Sequence, residues 1–258
     1  MIEEVEYYDD GLVICGTFPD KEVLDIIRDG INEFVPLVIA DPPYGNIVEN
    51  DWDQTDGDDI KFCDWMVDWT KKLQEFLYSG AALYVWGGVG KPHFRPFYRY
   101  LIALEEETKF TLSNHITWSK KRAYGVQHNY LFTREELAYF VYKNDIKEPK
   151  LFNVPLLDSK RGYAGYNEKY PAKSEFFRRT NVWMDITEIF KGKTHIAQKP
   201  VRLMEIPIEI HTEKRDWVID PFAGSGTTAH AARKLGRKFV LVEKDKGNWE
   251  KIVASLKG

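Results

Sequence analysis

Two short strings carry residue types that could do chemistry together: Asp41-Pro42-Pro43-Tyr44 near the start of the chain, and Asp220-Pro221-Phe222-Ala223-Gly224-Ser225-Gly226-Thr227-Thr228 near its end. The Asp41 carboxylate and the free carbonyl of Pro42 can accept both N–H bonds of a single amino group. On a nucleobase such an amino group is a poor nucleophile, because its lone pair is delocalised into the ring. Two acceptors pulling on its hydrogens favour a tetrahedral nitrogen and release that pair. Charge-assisted hydrogen bonds are the stronger kind, and these would strengthen as positive charge develops on nitrogen. Tyr44 offers a face on which an extruded base can stack, a contact typically worth ~1–3 kcal/mol.

The second string joins a buried strand expected at Trp217–Asp220 to a helix beginning near Thr227. Its glycines permit a tight turn and the close approach of a ligand. The helix start offers unpaired N–H groups to an anion, and the helix is expected to stop at Gly236, with Arg233, Lys234 and Arg237 near its negative end. Phe239–Val242 then delivers Glu243 to a strand end about 20 residues beyond Gly224, the offset at which an acid reaches a ribose hydroxyl pair. The expected ligand therefore carries an anionic group and a ribose. Gly224-Ser225-Gly226-Thr227-Thr228-Ala229 also fits the GxGxxA form of the dinucleotide fingerprint, so a nicotinamide-dependent oxidoreductase is an alternative reading. The second half of such a sheet does not follow and has to lie upstream. There Leu37–Ala40 delivers Asp41 to a strand end, and two prolines end the ladder. In an open α/β sheet that edge is where ligands bind.

With these residues in place, the chain resembles the β-class amino-methyltransferases among DNA methylases, which use S-adenosylmethionine and carry the DPPY string ahead of the FxGxG string. The likeness covers nearly the whole chain. Asp51-Trp52-Asp53 resembles the loop after the catalytic motif, Ala81 to Gly88 the next core strand, and Asn114 to Lys120 the strand with a short Trp-x-Lys signature. His195 to Pro200 is similar to the segment leading into the helix before the cofactor motif. The resemblance implies an α/β, Rossmann-like class I methyltransferase fold: a mostly parallel seven-stranded sheet with helices on both faces, a circularly permuted motif order and a small inserted target-recognition lobe. It implies one domain over 1–258, with a catalytic half at 1–143, a recognition region at 144–180 and a cofactor half at 181–258.

At matching positions it further implies that Asp41, Pro42, Pro43 and Tyr44 hold the target base. Asp220, Phe222, Ala223, Gly224, Ser225, Gly226, Thr227 and Thr228 would line the methionine end of S-adenosylmethionine and Glu243 the ribose, with His195, Gln198, Lys199 and Asp41 also in the cofactor set. Many relatives have Gly-Asp after the first strand, where the acid helps read the cofactor's adenine; this chain has Gly16-Thr17. The implied reaction is transfer of a methyl group to adenine N6 in double-stranded DNA. Cytosine N4 is the rival, since Asp in the first motif position leans towards adenine in this family and Ser towards cytosine. An RNA acceptor and a catalytically silent DNA binder stay as further readings. A homodimer and a cognate restriction enzyme are compatible partners.

The elements that must position these residues can be read coarsely. A strand near Leu12–Cys15, a helix near Lys21–Arg28, an amphipathic helix over about Asp59–Tyr78 and strands near Ala82–Trp86, Thr111–Trp118 and Leu137–Tyr142 are expected. The aromatics of the Asp59–Tyr78 helix are assigned to the core. Pro200 suits a helix start, while Pro207 should end or kink that helix. The net charge of −4 is unusual for a nucleic-acid enzyme, but cations gather between Lys120 and Arg179. From this run Lys120, Lys121, Arg122, Lys160, Arg161, Lys173, Arg178 and Arg179 are assigned to DNA. Two distant cysteines and six histidines in no ligand-like spacing point to neither a disulfide scaffold nor a metal site. No apolar run approaches the length of a membrane span, and a cytoplasmic location is expected.

Overall fold

The structure, a computed structural model, describes residues 2–44, 59–88, 94–124, 127, 128, 130–143, 149–160, 175–189 and 198–258. In chain order the elements are β1 (Glu4–Tyr8), β2 (Gly11–Cys15), α1 (Lys21–Gly30), β3 (Val35–Ala40), α2 (Asp59–Leu73), β4 (Leu77–Gly87), α3 (Phe94–Glu107), β5 (Phe110–Tyr124) and β6 (Phe132–Tyr142). Then come β7 (Leu156–Lys160), β8 (Phe176–Arg178), β9 (Val182–Trp183), α4 (Val201–His211), β10 (Trp217–Asp220), α5 (Thr227–Leu235), β11 (Lys238–Glu243) and α6 (Lys246–Lys257).

One sheet dominates, in the order β1-β2-β11-β10-β3-β4-β6-β5-β9. Its seven central strands form the expected mostly parallel sheet. From β2 through β4 every pairing is parallel, while β6 runs antiparallel to both β4 and β5. The edges carry two strands that the sequence reading did not anticipate: β1, antiparallel to β2, and β9, parallel to β5. β9 is only two residues long, and β1 has no buried position and no alternation, so neither carries a clear period-two signal.

The central strands are buried on both faces, and alternate residues enter two different cores. Val38 and Ala40 of β3 pack with α1, α2 and α3 through Val23, Ile27, Trp69 and Tyr100. Leu37 and Ile39 pack with α4, α5 and α6 through Leu203, Ala229 and Ile252. The result is a helix–sheet–helix sandwich whose parallel strands all end at one edge.

Three boundaries differ from expectation. α2 stops at Leu73, and after a short 3-10 turn β4 already begins at Leu77, because Leu77 pairs with Val35 of β3. β5 and β6 are longer than their apolar runs, since the hairpin ladder extends from Phe110↔Tyr142 to Tyr124↔Phe132. α4 runs on through Pro207 to His211. Proline cannot give its i→i−4 bond there, but Leu203, Ile206, Ile208 and Ile210 are all buried, and that burial holds the helix together. Within the expected recognition region, β7 and β8 form a separate two-stranded antiparallel sheet. The segment before it is tied to the body by Lys150 N–H to Gly80 C=O (3.1 Å) and Asn153 N–H to Ile210 C=O (2.8 Å).

Candidate active site

Three neighbouring strands, β11, β10 and β3, end in Glu243, Asp220 and the residue after Ala40, Asp41. Three acids therefore converge on the edge of the sheet. Each is held differently.

Asp220 is buried at the end of β10 and shapes the glycine turn. One oxygen accepts the Phe222 N–H (3.0 Å) and the other the Thr228 hydroxyl (2.5 Å). Burial pushes its carboxyl up to about 7 in spite of those two hydrogen bonds, with Asp41 and Glu243 adding to the rise. Glu243 accepts the N–H of Gly224 (2.7 Å) and of Asp245 (2.8 Å), and burial raises its pKa too. The turn between them passes through Gly224 (φ 54°) and Gly226 (φ 74°), left-handed conformations that favour glycine. Gly226 is also the N-cap of α5, and Gly236 (φ 72°) ends that helix as expected. Phe222 packs on the rings of Trp65 and Trp69 (5.8 and 5.1 Å between centroids), which confirms that the α2 aromatics belong to the core. Ser225 and Thr227 share a hydroxyl–hydroxyl bond of 2.8 Å, and Thr227 lies 3.5 Å from the Lys199 carbonyl. Gln198, Gly224, Ser225 and Asn248 line a cavity of about 100 Å³ beside this loop. That is too small for a nucleoside and an amino acid together, which need roughly 300 Å³ or more.

Asp41 sits in the densest polar cluster of the edge. The Tyr44 hydroxyl donates to its Oδ1 (2.9 Å), and the Lys199 ammonium donates to its Oδ2. Lys199 Nζ also reaches the Tyr44 oxygen (3.2 Å), lies 3.3 Å from Glu135 Oε2, and rests over the Trp86 ring at 4.8 Å. Glu135 in turn pairs through Oε1 with Lys120. Burial works against the charge on Lys199, but Asp41 and Glu135 outweigh it and raise its pKa. Burial likewise opposes the charge on Glu135, and Lys199 and Lys120 more than offset it, so its carboxyl stays below the usual range. Tyr44 is held neutral, its pKa raised by burial and then by the two carboxylates.

Glu135 was missed by sequence reasoning. The signal available was period-two alternation: Glu135 shares a strand face with buried Leu137, and Lys120 with buried Trp118, and both of those side chains enter the core that α4 covers. Lys120, assigned to DNA from sequence, is thereby turned into this cluster. Arg179 is turned inward as well, forked onto both oxygens of Asp185 at 2.7 Å with its side chain 6% exposed. Lys121 and Arg122 stay exposed at the end of β5, their backbone N–H groups fixed by the Glu188 carboxylate (2.9 and 3.1 Å). Arg178 is exposed on β8. His195, Arg161, Lys173, the Asp51-Trp52-Asp53 loop and the side chain of Lys160 lie outside the described residues.

The donor set suits a cationic, ribose-bearing ligand: three strand-end acids, a glycine turn and a helix start stand together. The comparisons agree. The family model for DNA methylases of the N6/N4 type matches residues 35–254, and the chain belongs to that family. It is an S-adenosylmethionine-dependent DNA methyltransferase. Among relatives, it is 28% identical to the type II methyltransferase M2.DpnII of Streptococcus pneumoniae, over 93% of this chain and 92% of that one. It is 30% identical to the DNA adenine methyltransferase YhdJ of Escherichia coli, over 82% of this chain and 72% of that one. Its fold matches the crystal structure of the M1.HpyAVI–SAM complex with a TM-score of 0.63 at 23% identity, covering 95% of this chain and 98% of that one. Among the described residues no helix is long and apolar enough to cross a membrane.

Proposed function

We propose that the acceptor is adenine N6 of a base extruded from double-stranded DNA, methylated within a short specific sequence. The observation that carries this reading is the position of Asp41: it ends β3, next to the strand that ends in Asp220, with Tyr44 bonded to its carboxylate. Asp in the first place of the catalytic string supports adenine over cytosine N4, as does the likeness to a relative described as a DNA adenine methyltransferase.

In this reading the chain's residues divide the work. Asp41 and the Pro42 carbonyl accept the two N6 hydrogens and draw the nitrogen towards tetrahedral geometry. Tyr44, kept neutral, stacks on the base. Asp41 then takes the proton that the methylated nitrogen sheds and passes it to solvent. Glu243 holds the cofactor's ribose and the start of α5 its carboxylate, with Asp220 fixing the turn. S-adenosylmethionine supplies the electrophilic methyl group. Neither Cys15 nor Cys63 takes part, because direct displacement needs no covalent enzyme intermediate; both are buried thiols whose pKa values burial raises. Residues 144–180 serve as the target-recognition segment inserted between the halves 1–143 and 181–258. Lys160, Arg161, Lys173 and Arg178 contact phosphates from this segment, and Lys121 and Arg122 do so from the end of β5.

The test is to incubate the protein with methyl-labelled S-adenosylmethionine and unmethylated genomic DNA, digest to nucleosides and identify the labelled product by mass spectrometry. N6-methyladenine is the expected product. N4-methylcytosine would overturn the base assignment and leave the mechanism standing.

A further inference from the structure

Both oxygens of Asp41 are already engaged, one by the Tyr44 hydroxyl and the other by the Lys199 ammonium. That ammonium acts in two opposing ways on the reading above, on which this inference rests. It holds the Asp41 carboxylate in place at a partly buried position. It also sets a positive charge beside a nitrogen that becomes positive as it reacts, where a preorganised site should present negative charge. Glu135 is placed to resolve the conflict. Its Oε2 stands 3.3 Å from Lys199 Nζ, its side chain is only 15% exposed, and its Oε1 is anchored by Lys120 from the neighbouring strand. A small swing of the ammonium would move it from shared contact onto Glu135 alone.

We infer that Glu135 is a positioning residue: it draws the Lys199 ammonium off Asp41 when the target amino group arrives, leaving the Asp41 carboxylate open to it. The groups facing Lys199 from each element packed around it are Asp41 and Tyr44 after β3, Trp86 on β4, Glu135 on β6 and, through Glu135, Lys120 on β5. These four charged side chains sum to zero. Replacing Glu135 with Gln leaves two cations and one anion, and among the described residues Asp41 becomes the only carboxylate for Lys199.

Single-turnover methylation of DNA by wild type, Glu135→Gln, Glu135→Asp, Lys199→Gln and the double variant tests this. Calorimetric binding of S-adenosylmethionine is measured for each. Glu135→Gln is expected to lose at least about tenfold in rate with cofactor affinity within about threefold of wild type. Its rate should climb with rising pH over a range in which wild type is flat. With one carboxylate gone Lys199 gives up its proton at lower pH and releases Asp41. Glu135→Asp keeps the charge and is expected to recover part of the rate with the wild-type profile, which also covers the case of a poorly folded Gln variant. In the Lys199→Gln background Glu135→Gln should cost nothing further, because it acts through the ammonium. Effects that multiply in the double variant, or equal rates for wild type and Glu135→Gln, would overturn the inference alone. Wild-type protein that binds S-adenosylmethionine yet labels no DNA would overturn the reading of Asp41, and this inference with it.

Discussion

Asp41 and Asp220 end adjacent strands and differ in what they face: a lysine ammonium for the first, a hydroxyl and a backbone amide for the second. Burial raises the Asp220 carboxyl to about 7 against both of those hydrogen bonds, so it holds a proton at the edge below neutral pH. A sulfonium bound at this edge favours the ionised form of Asp220, so S-adenosylmethionine binding at pH 6 is expected to release close to one proton. Titrations in buffers of different ionisation enthalpy measure this directly. The demethylated product, whose sulfur is neutral, should release distinctly less, and equal release for the two ligands would sink the argument. Asp41→Asn isolates the other acid. It keeps one oxygen but turns an NH₂ towards the incoming amino group, and the methylation rate should fall by about 100-fold or more while cofactor affinity stays within a few fold. The reacting carboxylate and its neighbours were legible because each lies in a contiguous string at a strand end. Glu135 and the inward turn of Lys120 were not: their partnership joins residues 15 apart across a hairpin, and Lys199 meets Asp41 from 158 residues away. Neither separation leaves a local pattern.

At the scale of elements, the α5 start shows where local chemistry and packing agree. Gly226 and Gly236 bracket the helix with nearly the same positive φ, so an alanine at either position meets similar backbone strain. Their surroundings differ. A Cβ on Gly226 would stand 2.9 Å from Ile252 Cγ2 of α6, whereas one on Gly236 would meet only Lys214 at 3.9 Å. Gly236→Ala should therefore cost about 1 kcal/mol, and Gly226→Ala about 2–3 kcal/mol because α6 has to move as well. Urea unfolding of the two variants checks the order, and equal losses would mean that α6 yields freely. Gly226→Ala should also weaken cofactor binding, since the same turn aims the N–H groups at the ligand. The helix boundaries set by these glycines were readable from sequence for this backbone reason. The persistence of α4 through Pro207 was not, because it depends on burial by residues from other parts of the chain.

For the whole molecule, two buried groups that titrate between acid and neutral pH pull stability in opposite directions. His211 ties three parts together: it ends α4, bonds the Tyr84 hydroxyl of β4 at 3.0 Å, and contacts the Leu151 carbonyl ahead of β7 at 2.9 Å. Burial lowers its pKa from 6.5 to about 4 despite the Leu151 bond. The unfolded chain therefore takes up a proton that the folded one refuses. Stability from this group is complete above about pH 6.5 and is lost as pH falls towards 4, by about 3 kcal/mol at ~1.4 kcal/mol per unit. Asp220 has the reverse sign. The folded chain keeps a proton that the unfolded one gives up, so stability falls as pH rises from about 4 to 7, by about 4 kcal/mol on the same scale. In wild type without ligand the two largely cancel, and unfolding free energy should be nearly flat over that range as far as these groups set it. The variants separate them. Asp220→Asn should grow markedly less stable as the pH is lowered from 7 to 4.5, while His211→Gln should gain stability over the same interval relative to its own value at pH 7. Urea titrations at several pH values give both slopes, and parallel curves for the two variants would show that these buried groups do not control the acid response. Because the Asp220 penalty is relieved by a bound cation, saturating S-adenosylmethionine should make wild type behave like Asp220→Asn, losing stability on acidification through His211 alone.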